Sequence, residues 1–235
     1  MLRIIDARTG EPAPAAPARR APTRVVAHAP EGDATTLRVL LVADLLVRAL
    51  ELAGTPAWAL LTAARETRGL RERAAALGIR PFEDVGAGPD TGQTVHVRRT
   101  GGTVPDGLTI AVAPVHPAGL DLADPDAVRL ALLERHHHAS VELDATALDE
   151  ARDTLARRRS AVAAWARQPS RPVPAEVRDR LRAAWEDDLD APGVLRVLRG
   201  VETDPDLPDG ARFEICAYAD RFLGLHLTRD LGAPE

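Results

Sequence analysis

Thr23-Arg24-Val25-Val26-Ala27-His28, then Ala29-Pro30-Glu31-Gly32, then the run from Asp33 to Leu52, then Pro56-Ala57-Trp58-Ala59-Leu60-Leu61: this stretch decides the fold. Its first six residues are rich in β-branched and apolar side chains and read as a strand, which the Pro-Glu-Gly turn stops. Asp33 places an acceptor side chain directly ahead of an apolar-periodic run, so it reads as the N-cap of a helix. Leu37, Leu40, Leu41, Leu45, Val47 and Leu52 carry that helix to a stop at Gly54. Residues 56–61 read as the next strand. Strand, helix and strand in this order make a right-handed parallel crossover, the unit of a doubly wound sheet.

Working outward, Leu2-Arg3-Ile4-Ile5 reads as a short strand and Glu11 to Pro22 as a Pro/Ala-rich connection. Residues 64–77 read as a helix closed by Gly78. From Arg80 to Gly107 the pattern dissolves into Gly, Pro, Asp and Thr, apart from the alternating strand Thr94-Val95-His96-Val97-Arg98. Leu108 to Ala113 reads as a buried strand. From Asp124 onward only helices are expected. Asp124-Pro125-Asp126 starts one with an acidic cap, proline at the first helical position and further negative charge in the first turn. The run Val128, Leu130, Ala131, Leu132, Leu133 is too dense for one stripe and predicts burial on most sides. His136-His137-His138-Ala139-Ser140 ends that helix. Asp144 caps a longer one, in which Leu148, Leu155 and Val162 recur with heptad spacing beside Ala151 and Trp165, a bundle seam. Three more helices are expected: Pro174 to Asp188, Asp190 to Arg199 ended by Gly200, and Asp209 to Leu223 ended by Gly224. The expected architecture is α/β plus all-α: a small Rossmann-like parallel-sheet domain over residues 1–122, then a helical bundle over residues 123–235.

Composition bounds what such a chain can do. Hydrophobic residues are 45% of its 235 positions, enough for a sizeable core, but aromatics are only 3%, so packing rests on Leu, Val and Ala. All 30 basic residues are arginine, a pattern that codon bias in a GC-rich genome explains. Its chemical consequence is that no mechanism using a lysine ammonium is available within this chain. The formal charge of −5 argues against a nucleic-acid protein whose affinity comes from bulk charge. The single cysteine, Cys216, excludes an internal disulfide or a multi-cysteine metal site, which fits a reducing compartment. Beside Ile215, Ala219 and Phe222 it reads as a small buried hydrophobe. No basic-then-apolar leader follows Met1, and runs such as Val39 to Ala43 are too short to span a bilayer, so a cytoplasmic protein without a membrane partner is expected.

Two stretches resemble a known family. The run Asp124-Pro125-Asp126-Ala127-Val128-Arg129-Leu130-Ala131-Leu132-Leu133, with its His-rich break and acidic-capped helix, resembles the start of the helical domain of cysteinyl-tRNA synthetases. It is closer still to their relative, the cysteine:glucosaminyl-inositol ligase of mycothiol biosynthesis. Trp185-Glu186-Asp187-Asp188-Leu189-Asp190-Ala191-Pro192 resembles the acidic turn that both carry later, in the same order and spacing. The resemblance implies a class I nucleotide-binding fold followed by helices, ATP-dependent cysteine activation, and a zinc ion that reads the cysteine thiolate.

Carried onto the first half, the resemblance pairs Val42 to Arg48 with the helix after the family's His-Ile-Gly-His signature. Counting back without gaps puts that signature on Asp33-Ala34-Thr35-Thr36, so Asp33, Thr35 and Thr36 would be the nucleotide-binding positions. A carboxylate at Asp33 is unfavourable where phosphate sits, and Thr35 adds a Cβ where the family uses glycine; as an ordinary N-cap, Asp33 needs no ligand. The second signature, Lys-Met-Ser-Lys-Ser, uses ammonium groups against charge developing on the phosphates and is absent here. Arg98 and Arg99 are the candidate substitutes, as phosphate clamps. His28 falls where the family has its first zinc ligand, but the other ligands belong to a long middle segment for which Leu61 to Leu120 is too short. Zinc is therefore expected to be lost, and ATP stands only as an implication of the resemblance.

Three consecutive helical histidines point about 100° apart and cannot all face one ion. A metal at His136-His137-His138 would need His96, His116 or Glu142 as further donors, and the family's His-Tyr-Arg at this point makes His136 an interdomain hinge residue instead. Asp187 and Asp188 read as a solvated turn, Asp190 with Pro192 as a helix start, and Arg157-Arg158-Arg159 as an exposed face. Three functions follow. The first is a shortened, degenerate paralogue that keeps the ligase scaffold, lacks adenylation, and binds a nucleotide, an aminoacyl compound or a protein as an accessory. The second is an active ATP-using cysteine ligase or aminoacyl transferase with a rearranged site, Arg98, Arg99, His28 and His116 being its candidate residues. The third is a pure protein-interaction module. Transfer RNA is not an expected partner.

Overall fold

A computed structural model describes residues 1–16, 22–63, 67–86, 92–101, 106–117 and 122–232. Strands β1 (Arg3–Ile5) and β2 (Pro12–Pro14) form an antiparallel pair. β3 (Thr23–Ala29) leads through α1 (Ala34–Leu52) into β4 (Ala57–Ala63), the expected crossover. Then come α2 (Thr67–Ala76), β5 (Glu83–Asp84), β6 (Thr94–Arg99), β7 (Leu108–Val112) and β8 (Val115–His116). The second half holds α3 (Pro125–Leu133), β9 (Val141–Glu142), α4 (Ala145–Trp165), α5 (Ala175–Glu186), α6 (Ala191–Thr203) and α7 (Asp209–Leu223).

The central sheet has the order β5-β4-β3-β6-β7, and every neighbouring pair is parallel. From β3 the chain winds outward to β5, then returns to the other side of β3 at β6. This is a doubly wound, Rossmann-like sheet whose switch point lies between β3 and β6, the place where such sheets bind ligands beyond their strand ends. Register fixes the two faces. Val25, Ala27, Val95, Val97 and Ile110 are fully buried and point toward α1, while Arg24, His28, His96 and Arg98 alternate onto the opposite face. α1 is apolar nearly all round: Leu37, Leu40, Leu41, Leu45 and Leu46 are at most 3% exposed. Each such leucine contributes about 1.5–3 kcal/mol relative to an exposed one, which is why this helix anchors the sheet.

The helical half follows the patterns that predicted it. Asp33, Asp124, Asp144 and Asp190 each accept a backbone N–H at the start of their helices. Every residue of α3 from Ala127 to Leu133 is buried, and α4 turns Ala151, Leu155, Val162 and Trp165 inward. Gly224 closes α7 in the left-handed conformation, φ +61°. One buried cluster runs from Val25 and Leu37 through Leu155 and Trp185 to Phe222, so the two halves share a core. No described helix is long and apolar enough to cross a membrane.

Four expectations are corrected. The Pro/Ala connection contains β2, because Pro12 and Pro14 sit on an edge pair where a missing N–H costs nothing. The segment after Asp124 is not wholly helical: β9 pairs in parallel with β8, Val115 opposite Val141. α6 runs through Gly200 to Thr203, because Val201, 3% exposed, extends its apolar face past the glycine. β5 lies within the stretch expected to be irregular. The expected start of α2 at residues 64–66 lies outside the described residues.

Candidate functional site

α1 begins beside the C-terminal ends of β3 and β6, so its first N–H groups form an anion-binding position at the switch point. The chain fills that position itself. Asp33 Oδ1 accepts the Thr36 N–H at 2.8 Å. Arg99, at the end of β6, reaches Asp33 Oδ2 at 3.3 Å and donates to Glu31 Oε2 at 2.7 Å. Burial alone would raise the Asp33 pKa, but the Thr36 hydrogen bond and Arg99 outweigh it and hold the carboxyl below its ordinary value. Arg73 of α2 donates to the Gly32 carbonyl, and a cleft lined by Ala29, Pro30, Glu31, Gly32, Leu70 and Arg73 opens beside this loop.

On the opposite sheet face His28 Nε2 and His96 Nδ1 stand 3.0 Å apart, with ring centroids 5.1 Å apart. This contact needs one ring to donate and the other to accept, so at least one of the two rings must be neutral. Burial is the main cause that pushes both imidazoles below their ordinary pKa. His96 and Arg98 add to the shift of His28; for His96 a hydrogen bond to the Asp106 backbone opposes the shift and Arg24 adds to it. Folded-state values below the unfolded ones mean that the unfolded chain binds more protons on acidification. The stabilisation is thus complete above about pH 6.5 and is lost as the pH falls below it. The melting temperature is expected to drop between pH 7.5 and 5.5, and to drop less in His96→Gln. Both rings are only partly buried, so each is expected to contribute less than the about 1.4 kcal/mol per pH unit of a fully linked proton. An equal drop in wild type and variant would rule the pair out as its source.

The other candidates are dispersed. Arg98 spends its guanidinium on the carbonyls of Arg99 and Gly101, and its buried Nε has no partner among the described residues. Thr35 and Thr36 are 3% and 1% exposed and turn inward, Thr35 Oγ1 accepting the Val115 N–H at 3.1 Å. His116 is exposed on β8, opposite Glu142. Cys216 is fully buried in α7, and burial pushes its thiol up to about 12.

Other expectations are overturned. Arg158 and Arg159 are 3% and 4% exposed rather than on a solvated face: Arg158 pairs with Glu202, and Arg159 with Asp126 at 2.9 Å. Asp188 is 5% exposed, not a solvated turn residue. The three histidines leave α3 in a turn rather than a helix, so the angular objection to their convergence does not hold, and they gather around Asp188. Sequence reasoning treated these two motifs separately, and it overlooked His96 as the partner of His28; alternation along two neighbouring strands was the available signal for the latter.

The groups implied by the resemblance meet a poor fit. A zinc ion reading a thiolate needs Cys, His or Glu donors, yet among the described residues no third such donor gathers with His28 and His96. ATP phosphates would enter the α1 N-terminus against Asp33 and Glu31.

No protein-family model matches the chain. It is similar to the L-cysteine:1D-myo-inositol 2-amino-2-deoxy-alpha-D-glucopyranoside ligase of Acidothermus cellulolyticus, 45% identical over 106 residues, which are 45% of this chain and 25% of that protein. The ligase of the same name from Parafrankia sp. is 53% identical over 76 residues, 32% of this chain and 16% of that protein. The one from Streptosporangium roseum is 42% identical over 113 residues, 45% of this chain and 26% of that protein. The chain thus spans about a quarter or less of the length of these curated relatives. It is related in part to a family of cysteine ligases.

Proposed function

We propose that the chain uses a cysteine-ligase scaffold without forming an aminoacyl adenylate, and acts as a binding or accessory protein for a small aminoacyl-type molecule at the sheet switch point. The observation that carries this reading is Asp33. A phosphate entering the α1 N-terminus would meet a carboxylate already bonded to Thr36 N–H and paired with Arg99. Two unit charges of like sign 4 Å apart repel by about 4 kcal/mol at an effective dielectric of 20, enough to weaken binding roughly a thousandfold. Arg99, the strand-end arginine that reaches this place among the described residues, is shared with Glu31. The absence of lysine from this chain supports the same reading, because developing phosphate charge has no ammonium to meet it. The likeness to ligases whose names specify cysteine supports a cysteine-bearing ligand.

Two measurements test it. Cysteine-dependent exchange of pyrophosphate into ATP is expected to be at background. In thermal melts ATP alone is expected to leave wild type unmoved and a non-hydrolysable cysteinyl-adenylate mimic to raise its melting temperature by several degrees. Asp33→Asn keeps the cap and removes the charge, so it is expected to gain an ATP shift of a few degrees. Exchange above background in wild type would overturn the reading. No shift with the mimic would leave the scaffold as an interaction module. A second reading, an active ligase with a rearranged site, is favoured by the neutral His28–His96 pair beside the switch point, and exchange activity lost in His28→Gln would establish it.

A further inference from the structure

The turn after α3 and the turn between α5 and α6 meet at a single carboxylate. Asp188 Oδ2 lies 2.7 Å from His138 Nε2, 3.6 Å from His137 Nε2 and 3.9 Å from His136 Nε2. One donor atom from each of the four residues falls within 4.8 Å of all the others. The three rings pack on one another with centroids 4.2, 4.3 and 5.0 Å apart. Hydrogen bonding accounts for most of the set, since His138 pairs with the carboxylate and His136 Nε2 with the Asp188 carbonyl at 3.1 Å. It does not account for His137. That residue is 5% exposed, and its Nε2 is buried, faces Asp188 Oδ2 and has no hydrogen-bond partner among the described residues. An orphaned buried ring nitrogen costs on the order of 1–3 kcal/mol unless something outside the chain meets it.

We propose that His136, His137, His138 and Asp188 form a binding site for one divalent transition-metal ion of the zinc class. Three imidazole nitrogens and one carboxylate oxygen are a donor set that zinc takes in tetrahedral geometry, with bonds of about 2.0–2.2 Å. Closing the four donors around such an ion draws His136 and His137 inward and moves His138 slightly away from the carboxylate. A hard oxygen-seeking cation is disfavoured by the three imidazoles.

The surroundings are built to orient these donors. Asp188 Oδ1 accepts the Ile5 N–H at 2.9 Å, which turns Oδ2 toward the histidines. The His137 carbonyl accepts the Ala113 N–H at 2.8 Å, and Arg38 donates to the His136 carbonyl at 2.9 Å. With its four ligands drawn from the chain the site is closed, so the ion acts as a structural clasp. It ties the α3–β9 turn to the α5–α6 turn and, through Asp188, to β1.

The test uses the full chain without a histidine tag, stripped with chelator. One equivalent of Zn²⁺ is expected to bind at micromolar or lower concentration and to raise the melting temperature by several degrees. Co²⁺ is expected to give the intense visible bands of a tetrahedral ion. Asp188→Asn and His137→Gln should weaken binding at least tenfold. Because both positions are buried, His138→Gln on the half-exposed side provides a variant that folds and should show the same loss, whereas His28→Gln should leave the stoichiometry unchanged. Absence of saturable binding, or binding that survives unchanged in His138→Gln and His137→Gln, would overturn the site.

Discussion

Asp44→Ala is expected to lower the melting temperature by on the order of 10 °C. Asp44 lies on α1, is 1% exposed, and meets three arginines from three parts of the chain. Arg48 Nε and Arg80 Nε stand at 2.8 Å, and Arg129 of α3 at 3.5 Å. Arg48 and Arg80 are partly exposed and can return to water when the carboxylate is gone. Arg129 cannot: it is 1% exposed, and its remaining partners are the carbonyls of Leu223 at 2.8 Å and Leu77 at 2.9 Å. Burial pushes its pKa down to about 10 even with Asp44 beside it, and a guanidinium does not shed its proton at neutral pH, so the charge stays behind when the carboxylate is gone. Breaking a buried pair from one side costs about 3–5 kcal/mol, and each kcal/mol moves the melting temperature of a chain this size by about 2–4 °C. The double variant Asp44→Leu/Arg129→Met should recover part of the loss, because well-packed apolar replacements of a buried pair are neutral or stabilising. A single variant melting within 2 °C of wild type, or a double variant melting lower than the single, would show that burial of charge is not what holds these helices together.

How much of this was legible in the sequence depends on the range of the signal. Helix caps are local, and Asp33, Asp124, Asp144 and Asp190 could be read because an acceptor side chain and the N–H it serves lie three residues apart. The sheet was legible from Thr23 to Leu61 because one crossover with apolar strands allows few arrangements. Gly200 misled, since a glycine near a helix end is a stop only where the apolar face also ends. β8–β9 and the His136–His138 turn on Asp188 were not legible, because they join segments far apart in the chain with no periodic pattern linking them. The buried arginines left a trace that composition hides: Arg38 sits between Leu37 and Val39, and Arg129 between Val128 and Leu130, inside runs too apolar to have a wet face. An arginine at such a place must find acceptors indoors, but the sequence does not say which ones.

For Arg38 the acceptors are four carbonyls, and Arg38→Met is expected to cost about as much as the loss of Asp44. Its Nη1 donates to Ala113 at 3.1 Å and to Ala139 at 2.6 Å, and its Nη2 to Arg135 at 3.1 Å and His136 at 2.9 Å. One guanidinium on α1 therefore holds both the end of the central sheet and the turn that carries the three histidines. A charged hydrogen bond contributes about 1.5–3 kcal/mol, but simple addition over four overstates the loss. Arg135 and Ala139 are exposed residues whose carbonyls can take up water once released, whereas the Ala113 bond is wholly buried. About 4 kcal/mol remains as the expected cost, again on the order of 10 °C. Arg38→Lys should rescue little, because an ammonium has no planar fork to span four acceptors on two segments. Hydrogen exchange separates this local role from general loss of stability. In Arg38→Met, under conditions where the fold persists, the Ala113 and Ala139 amides, which donate to His137 and His136, should lose protection ahead of α6 and α7. If protection falls evenly across the chain instead, Arg38 fills space in the core and does not clamp the turn.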